Sequence, residues 1–130
     1  MKITFYPDSS EIKDVAKLDT VTSGQVGRLF KDLRKKRPDL NSLVKKLLRK
    51  VYEKESIQFL FDTGEMDHLS GDIYEFRIPP QKSGGVVRLY FGYKEKNHIV
   101  VYKGELKKGR AADQDLIDSA QKIHNEVCKK

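Results

Sequence analysis

The chain has 130 residues and a mass of 15.0 kDa, the size of one domain built around a single core. Lys and Arg outnumber Asp and Glu by 26 to 19, a formal charge of +7 that points to a polyanionic or acidic partner. No apolar run approaches membrane-spanning length, MKITFYPDSSEIKD lacks a signal-peptide core, and Cys128 as sole cysteine excludes an internal disulfide; a cytoplasmic protein is expected.

In chain order, Ile3–Tyr6 forms a short strand candidate stopped by Pro7, and residues 9–20 fit either a loop or a weak helix. Thr22 or Ser23 can cap a helix carrying Val26, Leu29, Phe30 and Leu33 on one face, and Pro38 ends it. Asp39 or Asn41 can cap a second helix, whose stripe of Leu40, Leu43, Val44, Leu47, Leu48, Val51 and Tyr52 is the clearest periodic signal in the chain. So short a break predicts an antiparallel helix pair. SIQFLF, residues 56–61, suits a strand or the run-in to one, and DTGEMDHLSGD is a polar connection. Strands are predicted over 73–78, 86–93 and 98–103, separated by PPQKSGG and KEKN. The basic stretch GELKKGR then leads to a last helix with Leu116, Ile117, Ala120, Ile123 and Val127 on its apolar face. The expected fold is α+β, one domain over 1–130: an N-terminal helical hairpin packed on one face of a small antiparallel β-meander, with a C-terminal helix and the other sheet face open.

Strand alternation puts Tyr74, Phe76, Ile78, Val87, Leu89, Phe91 and Tyr93 on the core face, and Glu75, Arg77, Arg88 and Tyr90 on the opposite, open face. Register leaves two outcomes. Arg77 opposite Arg88 sets like charges together, at about 1 kcal/mol or less, which a bound anion would offset. A slip of two residues sets Glu75 opposite Arg88 as an ordinary cross-strand ion pair. Lys103, Lys107 and Lys108 lie just downstream, so this face can hold phosphates and stack a base on Tyr90.

These residues resemble the RelE/HigB superfamily of type II toxins, in particular its phage-derived HigB-like branch. Leu69 with Tyr74-Glu75-Phe76-Arg77, then Arg88-Leu89-Tyr90-Phe91, then Leu106-Lys107-Lys108 follow the branch's ordered motifs over about residues 66–125. The resemblance implies a RelE/ParE-like fold and a ribosome-dependent mRNA endoribonuclease that needs no metal or other cofactor and is neutralised by a cognate antitoxin. It implies catalytic roles for Arg77, Arg88, Lys107 and Lys108, with Tyr90, Lys103 and Arg110 contacting RNA. The chemistry suits the residue types: a 2′-hydroxyl attacks the adjacent phosphate, and fixed cations stabilise the charge that develops on its oxygens. The chain departs from the branch at Glu105, where an aromatic residue is usual nearby, at Lys103, where His is common, and at Ala111-Ala112-Asp113, where Thr-Pro enters the last helix. A non-catalytic RNA- or antitoxin-binding relic has the same sequence signature.

Asp62-Thr63-Gly64 has the spelling of an aspartic-protease loop, but a turn accounts for it more simply. His68, His98 and His124 are too scattered for a zinc site, and the first two fall at ordinary surface positions. The cations of 28–50 fit the solvated faces of two amphipathic helices, or a surface for ribosomal RNA or an acidic antitoxin helix.

Overall fold

The computed structural model describes residues 1–7, 15–79, 86–107 and 113–128. Lys108 and Arg110 lie outside the described residues, as does the PPQKSGG turn from its second proline onward. Strand β1 (Lys2–Phe5) comes first, and a 3-10 turn (Val15–Thr20) precedes helices α1 (Gly24–Lys36) and α2 (Pro38–Glu53). A short helix α3 (Phe59–Asp62) leads into β2 (Met66–Ser70), β3 (Ile73–Ile78), β4 (Val86–Glu95) and β5 (His98–Lys107), and α4 (Gln114–Cys128) closes the chain.

The two helices form where the apolar spacing requires. Ser23 is the N-cap residue of α1, and its carbonyl accepts the Gly27 N–H at 3.2 Å. Pro38 takes the first turn of α2, where its missing N–H leaves no helical bond unmade, so neither Asp39 nor Asn41 is the cap. Their buried faces, Val26, Phe30 and Leu33 from α1 and Leu40, Val44, Leu47, Leu48 and Val51 from α2, join Phe76, Leu89, Phe91 and Val101 of the sheet in the main core. Leu43, expected on the stripe, is exposed instead.

The expected architecture, a RelE/ParE-like N-terminal hairpin on an antiparallel meander, is overturned in several respects. The helices are not an N-terminal hairpin, because β1 and the 3-10 turn come before them. The sheet has five strands in the order β1-β5-β4-β3-β2, and it is mixed: β1 runs parallel to β5, with Ile3 beside Ile99 and Phe5 beside Val101. The polar connection DTGEMDHLSGD contains an edge strand, β2, paired antiparallel to β3 with a bulge between His68 and Ser70. SIQFLF ends in the short helix α3 and is not a strand.

The second sheet face is not open either. A smaller core of Ile73, Tyr90, Val100 and Tyr102 is covered by Ile117 and Ala120 of α4, with Leu116, Ile123 and Val127 at its margin. The predicted apolar face of the last helix is therefore right, while the sheet it covers makes the protein three layers deep. Asp113 starts α4 by accepting the backbone N–H of Asp115 at 2.9 Å. Farther along, the helix seats against Gly92, where an added Cβ would lie 2.6 Å from the His124 ring and 3.1 Å from the Asp72 carbonyl. Gly92→Ala is expected to cost about 1–3 kcal/mol through this overpacking, read as a fall in the urea midpoint. An unchanged midpoint would show that α4 can move away freely. No helix among the described residues is long and apolar enough to cross a membrane.

Candidate functional site

The β3–β4 register pairs Arg77 with Arg88 and Glu75 with Tyr90, and the β4–β5 register sets Glu105 opposite Arg88 and Lys103 opposite Tyr90. Two rows thus cross the sheet on the side away from α1 and α2: Arg77, Arg88, Glu105 and, next to it, Glu75, Tyr90, Lys103. Lys107 lies one step beyond, opposite Val86.

The like-charged register is the one adopted, but the protein itself supplies the anion. Glu75 sits diagonally between the guanidinium groups and divides its carboxylate between them: Oε1 accepts from Arg88 Nη1 at 2.8 Å and Oε2 from Arg77 Nη2 at 2.8 Å. Its side chain is 1% exposed and that of Arg88 2%, so this ion pair is sealed from solvent. The Arg77 side chain is 29% exposed and also meets Asp67 of the edge strand at 3.6 Å. Arg88 therefore stands on the predicted face but does not reach the surface; of the two arginines, Arg77 alone offers a cation to a ligand.

Tyr90 is also interior. Its O–H donates to Glu105 Oε2 at 2.5 Å, and the same oxygen accepts the Asp113 N–H at 3.1 Å, tying the entry of α4 to the sheet. A fully buried ring has no face on which a base can stack, so its expected role in contacting RNA fails on geometry. Lys103 and Lys107 are half-buried and remain reachable.

Burial, and then the Glu105 carboxylate, push the Tyr90 phenol far above its ordinary range; burial does the same to Tyr102, reinforced by Cys128. A raised phenol stays protonated at neutral pH, which removes Tyr90 as a general base. Because both folded values lie above the ordinary 10.0, the folded chain holds protons that the unfolded chain gives up. Stability is then undiminished below about pH 10 and falls as pH rises past it. Phenolate absorbance from these two side chains is expected to appear together with loss of the far-ultraviolet dichroism. Ordinary titration of all 6 tyrosines with the fold intact would contradict their burial.

Beyond these residues, the sequence pattern missed several partners. His98 is buried at a strand start, its Nε2 3.0 Å from Thr4 Oγ1, and is not a surface residue as expected. His68 is exposed, as expected. Buried His124 holds the Tyr102 hydroxyl at 2.6 Å on Nδ1, with Cys128 Sγ 3.6 Å from the same nitrogen. Asp62 is an exposed residue at the end of α3 with Gly64 in the turn behind it at φ 79°, a helix exit that explains Asp-Thr-Gly without catalysis. The basic run of α1 and α2 is mostly solvated, with Arg34 and Lys45 each 3.5 Å from Asp19 and Lys50 3.1 Å from Glu65.

Among the described residues no group of three His, Cys, Asp or Glu side chains is placed to hold a metal ion. No protein-family model, curated protein or solved structure matches the chain.

Proposed function

We propose that this chain is the toxin of a type II toxin–antitoxin pair in the RelE/HigB class, an mRNA endoribonuclease that acts at the ribosome in the cytoplasm, needs no metal and is held inactive by its antitoxin. The observation that carries the reading is the register that sets Arg77 beside Arg88, with Lys103 and Lys107 on the same sheet face. In this assignment Arg77 and Lys107 meet the scissile phosphate, with Lys108 and Arg110 following in sequence. Arg88 acts one step back: through Glu75 it fixes the carboxylate that orients the Arg77 guanidinium. A cation held this way stabilises charge developing on phosphoryl oxygens without reorganising.

Induction in a bacterium is expected to arrest growth, and Lys107→Ala to relieve the arrest while leaving the thermal melt close to that of the parent chain. Arg77→Ala should relieve it too, at about 1–3 kcal/mol of stability, because buried Glu75 Oε2 loses its Arg77 partner. Ribosome-bound mRNA should be cut in the presence of a chelator. Full toxicity of an Arg77→Ala, Lys107→Ala double variant would overturn the assignment of the site.

One observation favours a second reading, a binding relic without catalysis. Glu75 and Asp67 already engage the Arg77 guanidinium, so much of its positive field is cancelled before any phosphate arrives. That reading predicts unaffected growth on induction, with salt-sensitive RNA or antitoxin binding retained.

A further inference from the structure

β5 is longer than the strand on its outer side. β1 pairs with its residues 98–101, and the last bond of that ladder runs from the Tyr6 N–H to the Val101 carbonyl at 2.9 Å. From Tyr102 to Lys107, no strand among the described residues lies along that edge.

The edge nevertheless presents backbone groups that call for partners. At Gly104 they are taken by one side chain: Gln25 Oε1 accepts the Gly104 N–H at 2.7 Å, and Gln25 Nε2 donates to the Gly104 carbonyl. A primary amide has the donor and acceptor of a peptide unit, so Gln25 occupies the place of one residue of an absent strand. Since both Gly104 groups point outward, the Gly104–Leu89 pair is a non-hydrogen-bonded one, and so is Leu106–Val87 two residues on. Leu106 thus directs its own N–H and C=O outward as well.

Beside this edge runs a groove of about 490 Å³ between α1 and the end of β5. Leu29, Leu33 and Leu106 give it an apolar floor, and the Leu106 side chain is 39% exposed. On the α1 wall, Arg28 and Lys36 are exposed and form no ion pair among the described residues. Of the carboxylates nearby, Glu105 is already engaged by Tyr90 and Asp113, which leaves Asp32.

We propose that this groove takes an extended, acidic peptide segment of a partner protein, which adds as a strand to the outer edge of β5 at Leu106, where no described strand lies, and sets its carboxylates against Arg28 and Lys36. With Gln25 holding Gly104, Leu106 is the described residue whose outward N–H and C=O an extended segment can pair, which a helix, whose backbone groups are internally paired, cannot do. The leucine floor takes the inward side chains of such a segment. An RNA strand would meet the cations but leave the backbone edge and the leucines unmatched. The proposal does not rest on the ribonuclease reading, because the groove is on the α1 side of the sheet and Arg77 is on the other.

The test uses the full chain and a short fluorescein-labelled peptide alternating Glu with Val or Leu. Saturable binding is expected, together with slowed exchange of the Leu106 amide. Leu106→Asp should weaken binding by about tenfold or more, through a lost apolar contact and an added like charge. Methylating the peptide's edge-facing amide nitrogens should weaken it by a similar factor of about ten, because the strand bonds are lost. Leu106 is exposed, so an unchanged melt of Leu106→Asp is the fold control, and an Arg28→Glu, Lys36→Glu variant tests the charge independently. Absence of saturable binding at millimolar peptide overturns the proposal. So does affinity indifferent to amide methylation, or a single-stranded RNA that binds the same groove more tightly than the peptide. None of these outcomes bears on growth arrest, which tests the ribonuclease reading.

Discussion

Glu75→Gln is expected to lower the unfolding free energy by about 3–5 kcal/mol. The Glu75 carboxylate is the described anion on Arg88, both side chains are sealed from water, and each of its oxygens serves a different guanidinium. Removing the negative charge leaves Arg88 cationic, since arginine does not shed its proton at accessible pH. The amide also turns an N–H₂ donor toward one of two donor groups. Breaking a buried pair on one side is costly, whereas replacing the pair as a unit is not. Glu75→Gln combined with Arg88→Met is therefore expected to recover most of the loss. Equilibrium urea unfolding of the two variants at matched m-value decides the point. A single variant within about 1 kcal/mol of the parent would show that water reaches Arg88 readily and that the pair is effectively a surface one.

Phe91→Ala is expected to cost about 3–5 kcal/mol by cavity formation. Phe91 is fully buried at the centre of the sheet, stacked on Phe76 at 4.1 Å between ring centroids and on Tyr74 at 5.7 Å, with Tyr93 edge-on at 6.1 Å. The neighbouring rings are held by β3 and β4 backbones that cannot close over the void, so little of the lost contact is regained. Phe91→Leu, which keeps most of the volume, should cost less than half as much. Equal losses for the two would mean that shape and not volume controls this part of the core.

The two arginines mark how far pattern alone leads. Alternation along β3 and β4 correctly put them on one face, away from α1 and α2, and the register option with Arg77 beside Arg88 is the one adopted. Pattern could not show that Glu75, two residues from Arg77 on β3, also reaches diagonally across to Arg88, because a cross-strand diagonal depends on the twist of the pair and on the rotamers of long side chains. The covering of that face was partly legible. VVRLYFGY is almost continuously apolar, as strands buried on both faces are, and Ile73, Val100 and Tyr102 lie on the side taken to be open. The amphipathic last helix was the obvious cover for it.

The fifth strand was legible only weakly. Within Met66–Ser70 only Met66 is buried, because an edge strand next to solvent needs one apolar anchor and a row of backbone bonds to β3. β1 was recognised as a strand, but its parallel seat beside β5 joins residues almost a hundred positions apart, and no local signal encodes that distance.

What the sequence determined by itself was what each segment must bury: the stripes of α1, α2 and α4, the apolar alternation of β3, and the charge of +7 left on the surface. Tertiary structure alone decided which surfaces meet. It placed α4 over Tyr90, gave Arg88 a carboxylate in place of solvent, and met the outer edge of β5 at Gly104 with a glutamine side chain. The reason is physical: burial is a one-residue property that periodicity records, whereas pairing depends on the relative position of two distant segments, which only the packed chain fixes.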